Sequence, residues 1–283
     1  MVPAVGALPD AIQYRNRVEL GDVAQVQRWL DEGLPPDFMA DRIGTGLMLA
    51  AWEGNLPMME LLVSRGADVN KTNEVGEQAL LMAAWRGRLD VVKWLLAHGA
   101  QLNRGPLAWT ALHYAVFAGQ SEVAQYLIDQ GADINARSTN GSSVLMMAAY
   151  EGHEELARKL VSLGADPAAK NERGDGALEW AMKYQHPGIA RLVSDRQQFI
   201  AAANRPKADW GQPVRSVPAP APQPVAAAPS ETPRTSLPVE SPEIQQLLNA
   251  RSVLAAKGMN NAVKNVDRDR KSTRLNSSHI PLS

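Results

Sequence analysis

Four aromatic residues recur at one register of the chain: Trp52, Trp85, Phe117 and Tyr150, spaced by 33, 32 and 33 residues. Rings of this size bury a large area at low conformational-entropy cost, so their chemistry is noncovalent contact, not bond making. The position after each ring carries Glu53, Arg86, Ala118 and Glu151, which would flank a row of rings with mixed charge. Side chains suited to covalent work do not assemble into a recognisable site. There is no Gly-x-Ser-x-Gly, no phosphate-cradling loop and no dinucleotide fingerprint. Cysteine is absent, which removes thiolate nucleophiles, thiolate metal sites and disulfides together. The histidines are His98, His113, His153, His186 and His279. His98 sits beside Gly99 at a helix end, where a cation complements the helix dipole. Glu154 and Glu155 fall in the first turn of a helix, where carboxylates stabilise without any catalytic role. No catalytic residue, no metal site and no cofactor are expected.

The elements that position these rings follow from two interlocked series of glycines. Gly21, Gly54, Gly87, Gly119 and Gly152 lie 33, 33, 32 and 33 residues apart. Gly33, Gly66, Gly99, Gly131 and Gly164 run in step, twelve residues later each time. Before each glycine of the first series, from Gly54 on, comes a short apolar stretch ending in small residues, such as Leu80-Leu81-Met82-Ala83-Ala84. Glycine accepts the left-handed conformation that ends a helix. After it, apolar residues return at helical spacing, as in Leu89, Val92, Leu95 and Leu96. Each period therefore reads as helix, turn, helix, loop. Neither helix is long enough to be stable alone, so the apolar faces must be buried by stacking on neighbouring units.

Gly66-Ala67-Asp68-Val69-Asn70 and Gly131-Ala132-Asp133-Ile134-Asn135 close two of the periods, and Trp109-Thr110-Ala111-Leu112-His113-Tyr114-Ala115 opens another. On these motifs the chain resembles bacterial-type ankyrin-repeat proteins. The resemblance implies an all-α solenoid of about six helix-turn-helix units. It also makes His113 a structural histidine, and His153 the residue that often follows the turn glycine. Elsewhere the helix starts have drifted, with Gln78, Ser143 and Gly176 at the Thr110 position and Met48, Leu81, Met146 and Glu179 at the His113 position. An array with those substitutions is expected to lean more on apolar packing.

The repeat domain is placed at 10–200. A cap-like first unit spans 10–36, with Tyr14, Val18, Val23, Val26, Trp29 and Leu30 covering that end. Four fuller units follow over 37–167, then a degenerate one to 194, in which Gln185 replaces the expected glycine. The leader 1–9 is apolar and resembles the tail of a secretory signal, but lacks a basic start and an apolar core. Two readings stay open: a cytoplasmic protein as written, or a periplasmic one whose signal lies upstream. Of the 19 prolines, ten lie between Pro206 and Pro242, so 201–241 reads as a disordered Pro/Ala-rich linker. Residues 242–268 open with Ser241-Pro242-Glu243 and place Ile244, Leu247, Leu248, Val253 and Leu254 on a short helix. Residues 269–279 read Asp-Arg-Lys-Ser-Thr-Arg-Leu-Asn-Ser-Ser-His. That string resembles the translation of a short-read sequencing adapter, and 269–283 is set aside as an artefact.

The charge excludes one class of partner. With 29 Lys plus Arg against 30 Asp plus Glu, the net charge is −1, without the basic excess that phosphate binding needs. The longest apolar runs, 79–85 and 144–150, are seven residues each, too short to span a membrane. The expected function is noncovalent binding of another protein by a monomer, in the concave groove that the resemblance implies. The alternatives are the binding part of an enzyme whose catalytic domain is missing, or an envelope spacer. The expected contacts are Trp52, Trp85, Phe117 and Tyr150, with Glu53, Arg86, Glu151, Glu77 and Asp175 setting register. The same rings could instead pack as extra core, and both readings stand. Trp109, apolar and in a loop one residue shorter than its siblings, is expected either at an exposed tip or packed on the neighbouring loop.

Overall fold

The computed structural model describes residues 8–41 and 43–210. Most of the leader, the linker beyond 210, the short helix expected at 242–268 and the adapter-like 269–283 lie outside these residues. Among the described residues thirteen α-helices form, and the first twelve pair into six units. The pairs are α1 (Ala11–Glu19) with α2 (Val23–Asp31), α3 (Gly46–Glu53) with α4 (Leu56–Ser64), and α5 (Ala79–Arg86) with α6 (Leu89–Ala97). They continue with α7 (Ala111–Phe117) and α8 (Ser121–Asp129), α9 (Val144–Glu151) and α10 (Glu154–Ser162), and α11 (Ala177–Lys183) and α12 (Pro187–Leu192). A final helix, α13 (Arg196–Ala203), packs on the last pair, so the boundary placed at 200 falls inside it. One antiparallel hairpin, β1 (Met39–Asp41) with β2 (Gly44–Thr45), is added to the helical pattern just before α3.

Each helix starts and stops for local reasons. Thr45, Thr110 and Ser143 accept from the backbone N–H three residues on, capping α3, α7 and α9. Asn55 caps α4 in the same way. At Gly176 there is no side chain to cap α11, and the carboxylate of Glu179 reaches back instead, accepting from the Gly176 N–H at 2.8 Å. The same carboxylate oxygen also accepts from Lys170, whose Nζ lies 2.6 Å away. The turn between α11 and α12 keeps the left-handed conformation although its residue is Gln185, at φ 63°.

The first helices α3, α5, α7, α9 and α11 are nearly solid with apolar and small residues, and every residue of α7 and nearly every residue of α3, α5 and α9 is buried. The second helices bury one stripe only, such as Val91, Val92 and Leu95 in α6. First helices of neighbouring units pack closely, while second helices meet more loosely. The first-helix row is thus the tighter side of the stack, called the inner face below.

At the N-terminal end Tyr14 plugs the stack, edge-on to Phe38 at 5.3 Å and tilted to Trp29 at 6.3 Å. Residue 46 is glycine because a Cβ there would run into the Tyr14 hydroxyl. Val18, Val26 and Trp29 are buried with it, while Val23 and Leu30 are half-buried. At the other end a cavity of about 540 Å³ lies between α11, α12 and α13, lined by Leu178, Met182, Val193 and Trp210 among others.

Candidate partner-binding face

Three of the four recurrent rings, Trp85, Phe117 and Tyr150, form a stacked spine along the first-helix row, and Trp52 lies beyond its end. Trp85 stacks on Phe117 with centroids 5.4 Å apart and planes at 30°. Phe117 stacks on Tyr150 at 5.6 Å and 22°, and Tyr150 tilts onto Tyr184 at 4.3 Å. The guanidinium of Arg86 covers Trp52, 4.9 Å from the ring centroid. Relative exposure is 6 % for Trp52, 4 % for Phe117 and 9 % for Tyr150, whereas Trp85 is half-buried. Most of the surface of three rings is thus spent on neighbours, and only Trp85 keeps a substantial accessible edge.

Polar links hold the spine in place. At the last three turns the residue after the turn reaches back one unit to the carbonyl of a ring residue. Gln120 Nε2 donates to the Trp85 oxygen at 3.1 Å. His153 Nε2 lies 3.1 Å from the Phe117 oxygen, and His186 Nε2 lies 3.2 Å from that of Tyr150. These histidines therefore act as backbone ties between units. On the loop side Asn70, Asn103 and Asn135 do equivalent work. Their amides donate to the carbonyls of Gly99, Gly131 and Gly164, and their oxygens accept from the N–H groups of Gln101, Asp133 and Asp166. The drift at the helix starts is thus accompanied by two rows of polar links, not by apolar packing alone. The glycine-turn and Asn signals were visible in the sequence as repeated types, but their long-range partners were not.

The charged residues beside the rings are half-buried. Burial raises the Glu53 carboxyl above its ordinary value, against the lowering influence of Arg86 and Arg88. Burial likewise lowers the Arg86 guanidinium, aided by Arg88 and opposed by Glu53. Glu151 lies on the same strip, next to Tyr150. Glu77 is held from two sides, accepting from the Tyr114 hydroxyl at 2.7 Å and from Asn73 Nδ2 at 2.8 Å. Asp175 precedes the cap of α11 as Glu77 precedes that of α5. Its carboxyl is raised by burial and lowered in part by a hydrogen bond from the Trp180 indole. His113 is fully buried, bonded to Thr110 Oγ1 at 2.8 Å, and burial lowers it to about 4.

Trp109 does not occupy the tip of its loop. It is half-buried, with its ring edge-on to His113 at 5.4 Å and to Tyr114 at 6.1 Å, and its carbonyl accepts from Arg104 Nη1 at 2.9 Å. The exposed apolar residue of that loop is Leu107, which is 52 % exposed and held at φ 58°. The sibling loops place a glycine in this conformation, Gly76, Gly141 and Gly174, directly before the residue that precedes the cap. Removing one residue shifts the left-handed position onto a leucine, at a cost of about 1–2 kcal/mol.

A family model for ankyrin repeats in three copies matches residues 47–138 and 133–204, more than half of the chain. The chain belongs to the ankyrin-repeat family. Among curated relatives, this ankyrin-repeat protein is 34 % identical over 97 residues to "Ankyrin repeat and SAM domain-containing protein 6" of Rattus norvegicus. That match covers 34 % of the present chain and 8 % of the relative. It is 43 % identical over 139 residues to "Protein phosphatase 1 regulatory subunit 27" of Mus musculus and of Homo sapiens, covering 47 % of this chain and 66 % of each relative. The ankyrin-repeat chain thus spans less than two thirds of the length of these relatives. They are mammalian and lend the bacterial type no support. No helix among the described residues is long and apolar enough to cross a membrane.

Proposed function

We propose that the chain is a non-catalytic protein-binding module that engages its partner along the inner, first-helix face. The observation that carries this reading is the strip formed by the Trp85 edge, Glu53, Arg86, Ala118 and Glu151, half-buried side chains lying over a rigid spine of stacked rings. Such a strip is preorganised: its supporting rings are already packed, so little side-chain ordering is left to oppose binding. Trp52, Phe117 and Tyr150 serve mainly as support, with Trp85 the aromatic anchor and Glu77, Asp175 and Trp109 on the adjoining loop side. A relative named as a regulatory subunit of protein phosphatase 1 supports a regulatory or scaffolding role, and makes a phosphatase catalytic subunit the first partner to try.

The test places Ala118→Arg and Glu151→Arg on the strip and measures binding of purified protein phosphatase 1 catalytic subunit, and capture from cell extract, by the full chain. We expect capture by the parent chain and its loss in both variants with melting unchanged. Capture that survives both substitutions would contradict the reading.

A further inference from the structure

We infer that the inner face holds an oxyanion site between α3 and α5, where Arg86 and Arg88 receive an acidic side chain, Asp or Glu, of the partner. The inference rests on the reading that this face binds a protein, and specifies the chemistry the partner brings to one place on it.

The first observation is a concentration of cations. The turn between α5 and α6 reads Arg86-Gly87-Arg88, and no other helix pair has arginine next to its turn residue. Both side chains lean back on the preceding unit. The Arg86 guanidinium lies over the Trp52 ring, 4.9 Å from its centroid. Arg88 packs on Gly54, so closely that a Cβ there would lie 3.1 Å from its Nε. The two guanidiniums are near enough to each other for Arg88 to help lower Arg86.

The second observation is a surplus of buried donors. Trp52 Nε1, Arg86 Nε and Arg88 Nε are all buried, and none has an acceptor among the described residues. Buried N–H groups are nearly always satisfied, so three orphans at one boundary between units call for an acceptor from outside. The sibling turns sharpen the contrast. Gln120, His153 and His186 sit against the glycine of the preceding turn and spend a polar atom on the carbonyl of a ring residue. Arg88 takes the same seat on Gly54, yet neither it nor Arg86 is in ion-pair contact with any carboxylate among the described residues.

Charge then sets the class of ligand. Glu53 acts on both arginines from beyond ion-pair contact, and Glu19, which acts on Glu53, is paired with Arg15 at 3.4 Å. Two guanidiniums against one carboxylate leave a single positive charge, which a singly charged carboxylate balances. A phosphate group carries about −1.5 to −2 at neutral pH and would meet Glu53 with more repulsion. Arg86 and Arg88 are half-buried, so their attraction is stronger than on an open surface while part of each side chain stays within reach. Guanidinium groups also bind carboxylates through paired N–H donors, which fixes the direction of approach as well as the charge.

The experiment is NMR of the full chain carrying isotope-labelled arginine, read at the Nε–Hε resonances. Those of Arg86 and Arg88 are assigned by their loss in Arg86→Lys and Arg88→Gln. The probes are the capped peptide Gly-Ser-Glu-Ser-Gly and its counterparts with Gln or phosphoserine at the centre. The Glu peptide should shift both resonances saturably, and the Gln peptide neither. Arg88→Gln puts at this turn the residue type that Gln120 supplies one unit on, so it should melt like the parent chain. Read at Arg86, it should bind the Glu peptide at least about tenfold more weakly, the loss of a charge-assisted hydrogen bond. Glu53→Gln, which removes the competing carboxylate, should tighten the Glu peptide. No response to the Glu peptide, an equal response to the Gln peptide, or affinity undiminished in Arg88→Gln overturns the inference. Binding of the phosphoserine peptide alone overturns the choice of a carboxylate. Each of these outcomes leaves the strip itself to be judged by partner capture in the Ala118 and Glu151 variants.

Discussion

Trp85 and Phe117, from adjacent first helices, stack with their planes 30° apart, and the carbonyl of Phe117 is in turn bound by His153 from the following unit. Side chain and backbone of the same residue thus face different neighbours, so the spine transmits packing across three units. This arrangement separates the rings by role. Phe117 is enclosed on both faces, by Trp85 and Tyr150, while Trp85 keeps an accessible edge.

Phe117→Ala should therefore lower stability by about 3–5 kcal/mol, the range for emptying a buried aromatic site. Trp85→Ala should cost clearly less, because part of that ring is already in water, and should weaken partner capture more than its stability loss explains. Urea denaturation of both variants, read with capture at a temperature where both are folded, checks this. Equal losses of stability would show that Trp85 is core like its neighbours.

Gln185 holds a left-handed turn that glycine adopts without strain. Gln185→Gly should raise stability by roughly 0.5–1 kcal/mol, the relief of strain being offset in part by the greater freedom of glycine in the unfolded chain. A thermal melt that shifts downward would mean that the Gln185 side chain contributes more than its backbone costs.

His113 is buried and neutral, lowered to about 4 from an unfolded value near 6.5. A base with a depressed native value contributes stability that is full above the unfolded value. That stability is lost as pH falls from about 6.5 through about 4, because the unfolded chain takes up a proton first. The loss attributable to this one group is about 3 kcal/mol at its limit. Denaturation midpoints measured across pH 7 to 4 should fall more steeply for the parent chain than for His113→Gln. Parallel curves would mean that His113 is protonated in the folded state at ordinary acidity.

Asn103 ties two loops by donating to Gly131 and accepting from Asp133. It is exposed, so its two bonds are weakened by competition with water, and Asn103→Ala should cost about 1 kcal/mol. Hydrogen exchange of the Asp133 amide should speed up in the variant. An unchanged rate would show that the loops hold each other without this link.

The helix pairs were legible because glycine at two fixed offsets leaves few other backbones, and because short helices with apolar faces must find partners outside themselves. The register of the rings was legible for the same reason. Which of them are enclosed was not, since that depends on how far each first helix sits from the next. Trp52 and Trp85 occupy one register, yet the first is capped by Arg86 and the second by Phe117. The loop before Trp109 shows another limit. Its missing residue was countable, but the consequence, a left-handed Leu107 at the tip and a half-buried Trp109, depends on where the strain settles. The Glu77–Tyr114 bond was also hidden, because Glu77 meets a ring from the next unit, 37 residues away.

In the proposed function the partner lies on the first-helix side of the stack. Site-specific photocross-linking reads this whatever the partner's identity. A benzophenone side chain would replace Ala118 or Glu151 on the inner strip, and Glu60 or Glu122 on the second helices, in the full chain expressed in cells. We predict a discrete cross-linked species from the two inner positions and none from the outer pair. Cross-links from the outer positions alone, or equally from both sides, would contradict the account.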